Sequence, residues 1–559
     1  MPRMAKQILQ AAIVAVAISF AGSASAQNNL MPFEVHGNFQ LDAQYYLKDS
    51  LIGAPEVPES ILSNGFGNIV VSRDKFSAGL RYESYLNPML GFDSRYKGSG
   101  VTYRYATYTA DELEVTLGNF YDQFGSGLIF RSYEERNLGI DNAMDGLRVK
   151  YNPHPGVYLK GIIGQQRFFF DKGPGIVRGV DGEVSLSEAI KSWAEHKTRI
   201  TIGASAVSKY QKAEDPVYKI PNNVLAWSAR TTLNRGGWRV YGEYAFKSND
   251  PSLENASLAF PSGIYKNGYG AYFNATYTKK GLGVSVSAKH IDNMSFRSDR
   301  SATGNVLAIN YLPALTKQQT YRLATLYPYA SQAKGEAAFQ TELFYNFKKG
   351  SVLGGTNGTY ISVNYSKSAN LDTTGTNNGL GYSTNVTDTW SNLFTDFAAS
   401  RYFEEVSFEM QKKVNKDLKV ILNYIYTVYD QNLTGEGKDT VTSHTAIAEF
   451  QYKINKTHSV RAELQHLYTV SDRGNWALGL VEYSISPNWF FAFFDEYNYG
   501  NDDPEKRIHF WNASMGYTRG ANRVALAYGK QRQGLLCVGG VCRNVPASNG
   551  FSISITSSF

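Results

Sequence analysis

Residues 33–48 read FEVHGNFQLDAQYYLK. The odd positions, Phe33, Val35, Gly37, Phe39, Leu41, Ala43, Tyr45 and Leu47, are apolar or small. The even positions, Glu34, His36, Asn38, Gln40, Asp42, Gln44, Tyr46 and Lys48, are mostly polar. A period of two is a β-strand with one face in an apolar medium and the other in water. The run exceeds the roughly 5–6 residues usual for soluble strands and is long enough for a tilted membrane span of about 9–11.

The alternation recurs along the chain. Leu225, Trp227, Ala229, Thr231 and Leu233 lead into the turn Asn234-Arg235-Gly236-Gly237. Trp238, Val240, Gly242, Tyr244 and Phe246 lead away, with Arg239, Glu243 and Lys247 on the opposite face. Further hairpins turn at Lys279-Lys280-Gly281, Asn455-Lys456-Thr457, Ser486-Pro487-Asn488 and Arg519-Gly520-Ala521-Asn522. Between these short turns lie long connections at 248–267, 291–334, 367–403 and 429–443. Short turns on one side and long loops on the other is the asymmetry of outer-membrane barrels. An open sheet edge has no water to satisfy it in lipid, so such a sheet must close. The expected fold is all-β: a large transmembrane antiparallel β-barrel of roughly 22–24 strands, with short periplasmic turns and long extracellular loops. The weakest stretch is 165–198, where Ile176 to Leu186 reads as one more strand or as part of an external loop, and Ser187 to Lys197 as briefly helical.

The two ends of the chain agree with this location. Residues 1–26 carry Arg3 and Lys6, an apolar run from Ile8 to Phe20, and a small-residue Ala24-Ser25-Ala26. That is a secretory signal peptide, with cleavage expected before Gln27 and residues 27–559 forming the barrel. The last strand places Phe551, Ile553, Ile555 and Phe559 on one face and Ser552, Ser554, Thr556 and Ser558 on the other. A terminal amphipathic strand ending in Phe559 resembles the signal read by the outer-membrane assembly machinery. The first strand starts within ten residues of the expected cut, which leaves no room for a separate N-terminal plug domain and disfavours TonB-dependent transport.

Composition excludes other classes. A mean hydropathy of −0.33 and the lack of any later unbroken apolar stretch of 18 residues argue against helical membrane spans. The abundant aromatics, Tyr 39 and Phe 31, suit the two interfaces of a barrel. The net charge of +7 falls to +5 once Arg3 and Lys6 are removed, and with 49 acids present this is no nucleic-acid-binding balance. Cys537 and Cys542 stand five apart in a Gly-rich loop and are expected to form a small local disulfide in an exported protein, free thiols being the alternative.

The inward faces carry both charge signs. Lys75, Arg81 and Glu83 lie on one strand, Glu336, Gln340 and Glu342 on another, and Glu449, Gln451, Lys453, Arg461 and Glu463 on two neighbours. This describes a water-filled polar conduit or, equally, a lumen tied up by ion pairs; mixed charge argues against a strongly ion-selective pore. The densest polar stretch is 118–146, GNFYDQFGSGLIFRSYEERNLGIDNAMDG, with Asp122, Arg131, Glu134, Glu135, Arg136, Asp141 and Asp145. It breaks the alternation, and Gly125 and Gly127 allow a tight bend or close backbone approach. It reads as an infolded constriction or partner contact, or as a bent strand with an ordinary external loop, the balance lying toward the second.

This stretch, with Val177–Glu183 (VRGVDGE) and Ile309-Asn310-Tyr311-Leu312-Pro313, resembles an uncharacterised family of Bacteroidota outer-membrane proteins. The resemblance spans most of the mature chain. It implies an outer-membrane location and brings no established activity or functional residues. Asp49-Ser50-Leu51, Asp372-Thr373-Thr374 and Asp439-Thr440-Val441 resemble the Asp-Ser/Thr-apolar O-glycosylation sites of that phylum, all in expected loops, although such triplets also arise by chance.

Other chemistry is weakly indicated. Asp141, Asn142 and Asp145, or Asn501, Asp502, Asp503 and Glu505, offer oxygen ligands for Ca²⁺, but neither set has EF-hand spacing. No metal and no cofactor is expected. His466 shares a face with Leu464 and Tyr468 and reads as an interfacial residue. No G-x-S-x-G elbow occurs, and no catalytic role is expected. Two functions remain: a passive porin-like conduit for polar solutes, slightly preferred for the broad lumen of so many strands, or a non-conducting accessory or scaffold subunit of an outer-membrane assembly, secretion or lipoprotein-export complex. The expected partners are outer-membrane lipid and lipopolysaccharide, the assembly machinery during biogenesis, an outer-membrane complex, and no nucleic acid.

Overall fold

Two-residue alternation over this many segments produces strands almost throughout. The computed structural model describes residues 33–213, 220–251, 266–371, 401–435, 437, 439–538 and 541–559. The expected signal peptide, 1–26, and the triplet Asp372-Thr373-Thr374 lie outside them.

Twenty-four strands, from Glu34–Leu47 to Ser548–Ser558, form a single sheet. Successive strands pair antiparallel, and the first pairs with the last from Asn38 opposite Ser558 to Leu47 opposite Asn549. The sheet is therefore a closed barrel with no free edge, at the top of the expected strand range. The stretch 165–198 contributes to two wall strands, Val157–Phe168 and Asp171–Ser185, so Ile176 to Ser185 is strand and not loop. A helical turn, Leu186–Ala189, and a 3-10 turn, Lys191–Trp193, then lead into Thr198–Tyr210.

Most connections at one end are tight, as at 74–75, 155–156, 236–237 and 280–281. The opposite end carries 121–143, 293–334 and 532–547. The triplet Asp439-Thr440-Val441 does not lie in a loop as expected: Thr440 and Val441 open the strand Thr440–Lys453, and Val441 is buried. The β-branched residue fits the wall better than a loop.

The outward face is apolar and exposed. Leu80, Leu117, Ile163, Val180, Ile202, Leu464, Val481 and Phe493 all project from it. Aromatic rings border this belt at both ends. Trp238 packs on Tyr277, Phe76 on Tyr108 and Trp489 on Tyr517 near the short turns. Trp227 meets Phe246, Tyr528 meets Phe551, and His466 bonds Tyr499 toward the long loops. Rings with one wet and one oily side belong at the two faces of a bilayer. No helix among the described residues is long and apolar enough to cross a membrane.

The closing seam has its own detail. Gly37 and Phe559 exchange two backbone hydrogen bonds of 3.0 Å. The Phe559 ring lies where a Cβ on Gly37 would project. Gly37→Val should therefore displace the ring and destabilise the barrel by about 1–3 kcal/mol. Gly67→Val, where a Cβ meets open space, serves as the control. The temperature at which the folded band is lost on heat-modifiability gels should fall for the first variant and hold for the second.

Candidate functional site: two connections folded into the lumen

Side chains alone cannot fill a ring this wide. The chain places two of its own connections inside it, and they enter from the long-loop end. In 121–143, Phe124, Leu128, Ile129 and Phe130 are completely buried. They pack on inward-facing Val177, Val207, Val224 and Ala245 of the wall, and on Met294, Phe296 and Ile309 of the second connection. The two segments also pair through the backbone: Arg131 N donates to Ile309 O at 2.8 Å, and Tyr311 N to Gly127 O at 2.9 Å. Gly125 has φ +53°, and any Cβ there would strike the Glu243 carboxylate of the wall. The same Glu243 accepts from Ser126 N at 2.8 Å.

Charge neutralisation accompanies this packing. Arg81 pairs with Glu83 at 2.7 Å, with Glu134 at 2.9 Å, and with Asp141. Arg167 pairs with Glu83 and Asp141, both at 2.6 Å. Arg81, Glu83, Asp141 and Arg167 have side chains at most 7% exposed, so each needs its partners to tolerate the loss of water. Tyr121 donates to Asp141 at 3.0 Å, and burial raises its phenol well above the usual range, which keeps the donor protonated. Burial likewise pushes the Tyr133 phenol up to about 12.

The second connection crosses to the far wall. There Leu323, Tyr327 and Tyr329 pack on Phe403, Tyr429, Leu467 and Trp476. Wall carboxylates hold this segment: Glu405 accepts from Gln319 at 2.9 Å, Glu449 from Tyr321 at 3.0 Å, and Glu496 from Arg322 at 3.0 Å. Several of the inward charges read from the sequence are likewise paired, whereas Lys75 sits in an exposed turn and not on an inward face. Glu336 meets Lys289 at 2.9 Å, and Arg461 bridges Glu449, Glu463 and Glu482. Inward side chains near the short turns, such as Arg239 and Asn346, stay exposed and line a polar vestibule.

The seven candidates in 118–146 separate into groups. Glu134, Arg136 and Asp141 join the buried network, with Arg136 also reaching Gln40 at 3.1 Å. Asp122 holds Lys160 of the wall at 2.8 Å. Arg131 lies between the Tyr133 and Tyr311 rings, 4.4 and 4.0 Å from their centroids. Glu135 caps a 3-10 turn by accepting from Asn137 N at 3.3 Å. Asp145 is not with the others. It shares the outer face with Leu147, and pairs with Arg104 at 3.2 Å and Lys172 at 2.9 Å. Asp141 and Asp145 thus lie on opposite sides of the wall and cannot share a cation with Asn142. Asp503 instead caps the turn Pro504–Lys506, and no metal-binding group of three His, Cys, Asp or Glu occurs among the described residues.

Sequence reasoning missed the second connection. Its signal was composition: Leu312, Leu315, Leu323, Leu326, Tyr327 and Tyr329 are too apolar for a solvated loop, in contrast to the Ser/Thr/Asn/Gly run at 370–385. A cavity of about 350 Å³ opens between this segment and the ribbon Gly534–Val538. That ribbon pairs with Val541–Val545, and a disulfide joins Cys537 to the directly opposite Cys542.

Residues 4–559 match the profile of a family described as "Family of unknown function (DUF6029)". No curated protein matches the chain. Among solved structures it is similar to the translocation pore of the P pilus usher PapC, at TM-score 0.43 and 9% identity over 94% of this chain and 99% of that one. It is also similar to a mutant ferric enterobactin receptor, PfeA, from Pseudomonas aeruginosa, at TM-score 0.40 and 10% identity over 94% and 80%. The copper transporter OprC scores 0.36 at 9% identity over 95% and 81%. Likenesses this distant carry no statement about activity.

Removing one member of the buried network leaves an uncompensated charge. Glu83→Gln should cost about 3–5 kcal/mol, read as a fall in the denaturant midpoint of the refolded protein. Glu135→Gln, outside the network, should cost under about 1 kcal/mol.

Proposed function

The chain belongs to this family of unknown function, and we propose that it is an integral outer-membrane barrel that is non-conducting at rest. It serves as an accessory or scaffold subunit of an outer-membrane complex. The apolar belt with its two aromatic girdles supports the location. Outer-membrane lipid and lipopolysaccharide surround the belt, and the assembly machinery reads the terminal strand ending in Phe559.

The observation that carries the closed state is the pair of infolded connections. Burying Phe124, Leu128, Ile129 and Phe130 contributes roughly 6–12 kcal/mol, at about 1.5–3 kcal/mol per side chain. Thermal motion does not release a segment held that firmly, and the buried ion pairs add to its retention. A passive pore needs an unobstructed lumen, so this reading replaces the open conduit preferred from the sequence. A second reading, a gated passage for polar solutes, draws on the exposed vestibule beside the short turns and the cavity at 314–329. It requires a partner that displaces the plug.

Planar-bilayer recording tests the proposal. The intact protein should be silent. Replacing 313–329 by a short Gly/Ser linker should give stable steps, because the far half of the lumen empties. Stable open steps from the intact protein would overturn it.

A further inference from the structure

At the short-turn end, 348–358, KKGSVLGGTNG, is one of two connections longer than four residues, the other being 186–197, and its tip is apolar. Val352 is 99% exposed and Leu353 63%. The turn is not a loose loop. Thr359 Oγ1 donates to Leu353 O at 2.8 Å, and Lys412 Nζ donates to Gly354 O at 3.2 Å and to Thr359 Oγ1 at 2.8 Å. Asn357 Nδ2 donates to Val414 O of the neighbouring turn at 3.1 Å.

These bonds fix its direction. Lys412 lies opposite Thr359, on the same outward face as the exposed Val406 and Phe408. Thr359 in turn lies opposite Phe347, whose ring packs on Tyr345 at 4.8 Å. The turn is therefore folded back against the outer wall at the level of the lower aromatic girdle. Its tip projects beside the barrel, where the bilayer begins, and away from the mouth of the lumen.

The surrounding charge is one-sided. Lys279, Lys280, Lys348, Lys349, Lys413 and Lys416 are exposed on this turn and its two neighbours. Asp417 is the one acid in 279–281, 348–358 and 413–417. Two aliphatic side chains ringed by lysines match a headgroup layer: acyl chains take the tip, and phosphates take the ammonium groups.

We propose that 348–358 is a lipid-binding hook that inserts Val352 and Leu353 into the periplasmic leaflet and holds anionic phospholipid headgroups on Lys348 and Lys349. It fixes the depth and tilt of the barrel on this side. The inference rests on the membrane-spanning reading above, and its occupant is a phospholipid surface and not a periplasmic protein.

The test uses the full protein in vesicles of phosphatidylcholine and phosphatidylglycerol, with a polarity-sensitive fluorophore on Val352→Cys. The native cysteines are disulfide-bonded and do not compete for the label. A second label on Leu464→Cys, in the mid-belt, reports whether the barrel spans the bilayer at all. Acyl-brominated lipids should quench both labels, and brominated phosphatidylglycerol should quench the label at 352 more than brominated phosphatidylcholine does. That preference should disappear in Lys348→Gln/Lys349→Gln. Quenching at 464 with water-like emission at 352 would overturn the hook alone. Equal quenching of 352 by both lipids would overturn the headgroup preference. Failure at 464 would overturn the membrane reading itself.

Discussion

A polypeptide in hydrocarbon has no water to satisfy its peptide groups, and every other feature of this protein follows from that constraint. A sheet meets it by closing, as Glu34–Leu47 does against Ser548–Ser558. Closing twenty-four strands creates a second problem, because the ring is far wider than a pair of side chains. The connections 121–143 and 293–334 solve it by folding inward and supplying the core that the wall cannot. The apolar centre is therefore assembled from loop residues against the wall's inner face, the reverse of the usual division between element and loop.

The inner wall cannot be wholly apolar, since part of it faces the vestibule. Some of its charges stay exposed there, as Arg239 does, and those that the plug covers persist only in combination. Glu83 and Asp141 each contact both Arg81 and Arg167, so two positive and two negative charges are buried as one unit. An arrangement of this kind adds little net stability over apolar packing, but each member strongly penalises the loss of another. It holds the plug in one register. The apolar cluster supplies the strength, and the charges supply the specificity.

The fold was legible because alternation is a local signal repeated many times. Phe33 to Lys48 alone determines a two-faced strand, and the alternating connection lengths determine the barrel class. The stretch at 165–198 stayed open between strand and loop for a local reason: Gly173, Gly175, Gly179 and Gly182 dilute the pattern within a strand that is nonetheless complete. The site was less legible. The sequence marks 118–146 as exceptional through its broken alternation, yet whether a connection turns inward depends on partners far away, such as Glu243 and Ile309. Asp145 was grouped with Asp141 by proximity in sequence. Asp141 still belongs to the infolded connection, whereas Asp145 lies in the wall strand Met144–His154 on its outer face. Lys289 and Glu336 form a pair only because their strands are neighbours, which no single segment reveals.

Hydrogen exchange of the detergent-solubilised protein tests the central claim most directly. Amides of Phe124, Gly127, Arg131, Ile309 and Tyr311 are bonded within the plug. If the lumen is filled as described, peptides covering 121–143 and 293–312 will exchange as slowly as those of the wall strands. Exchange within seconds in those peptides, with the wall still protected, would mean that the barrel is hollow and that the closed account is wrong.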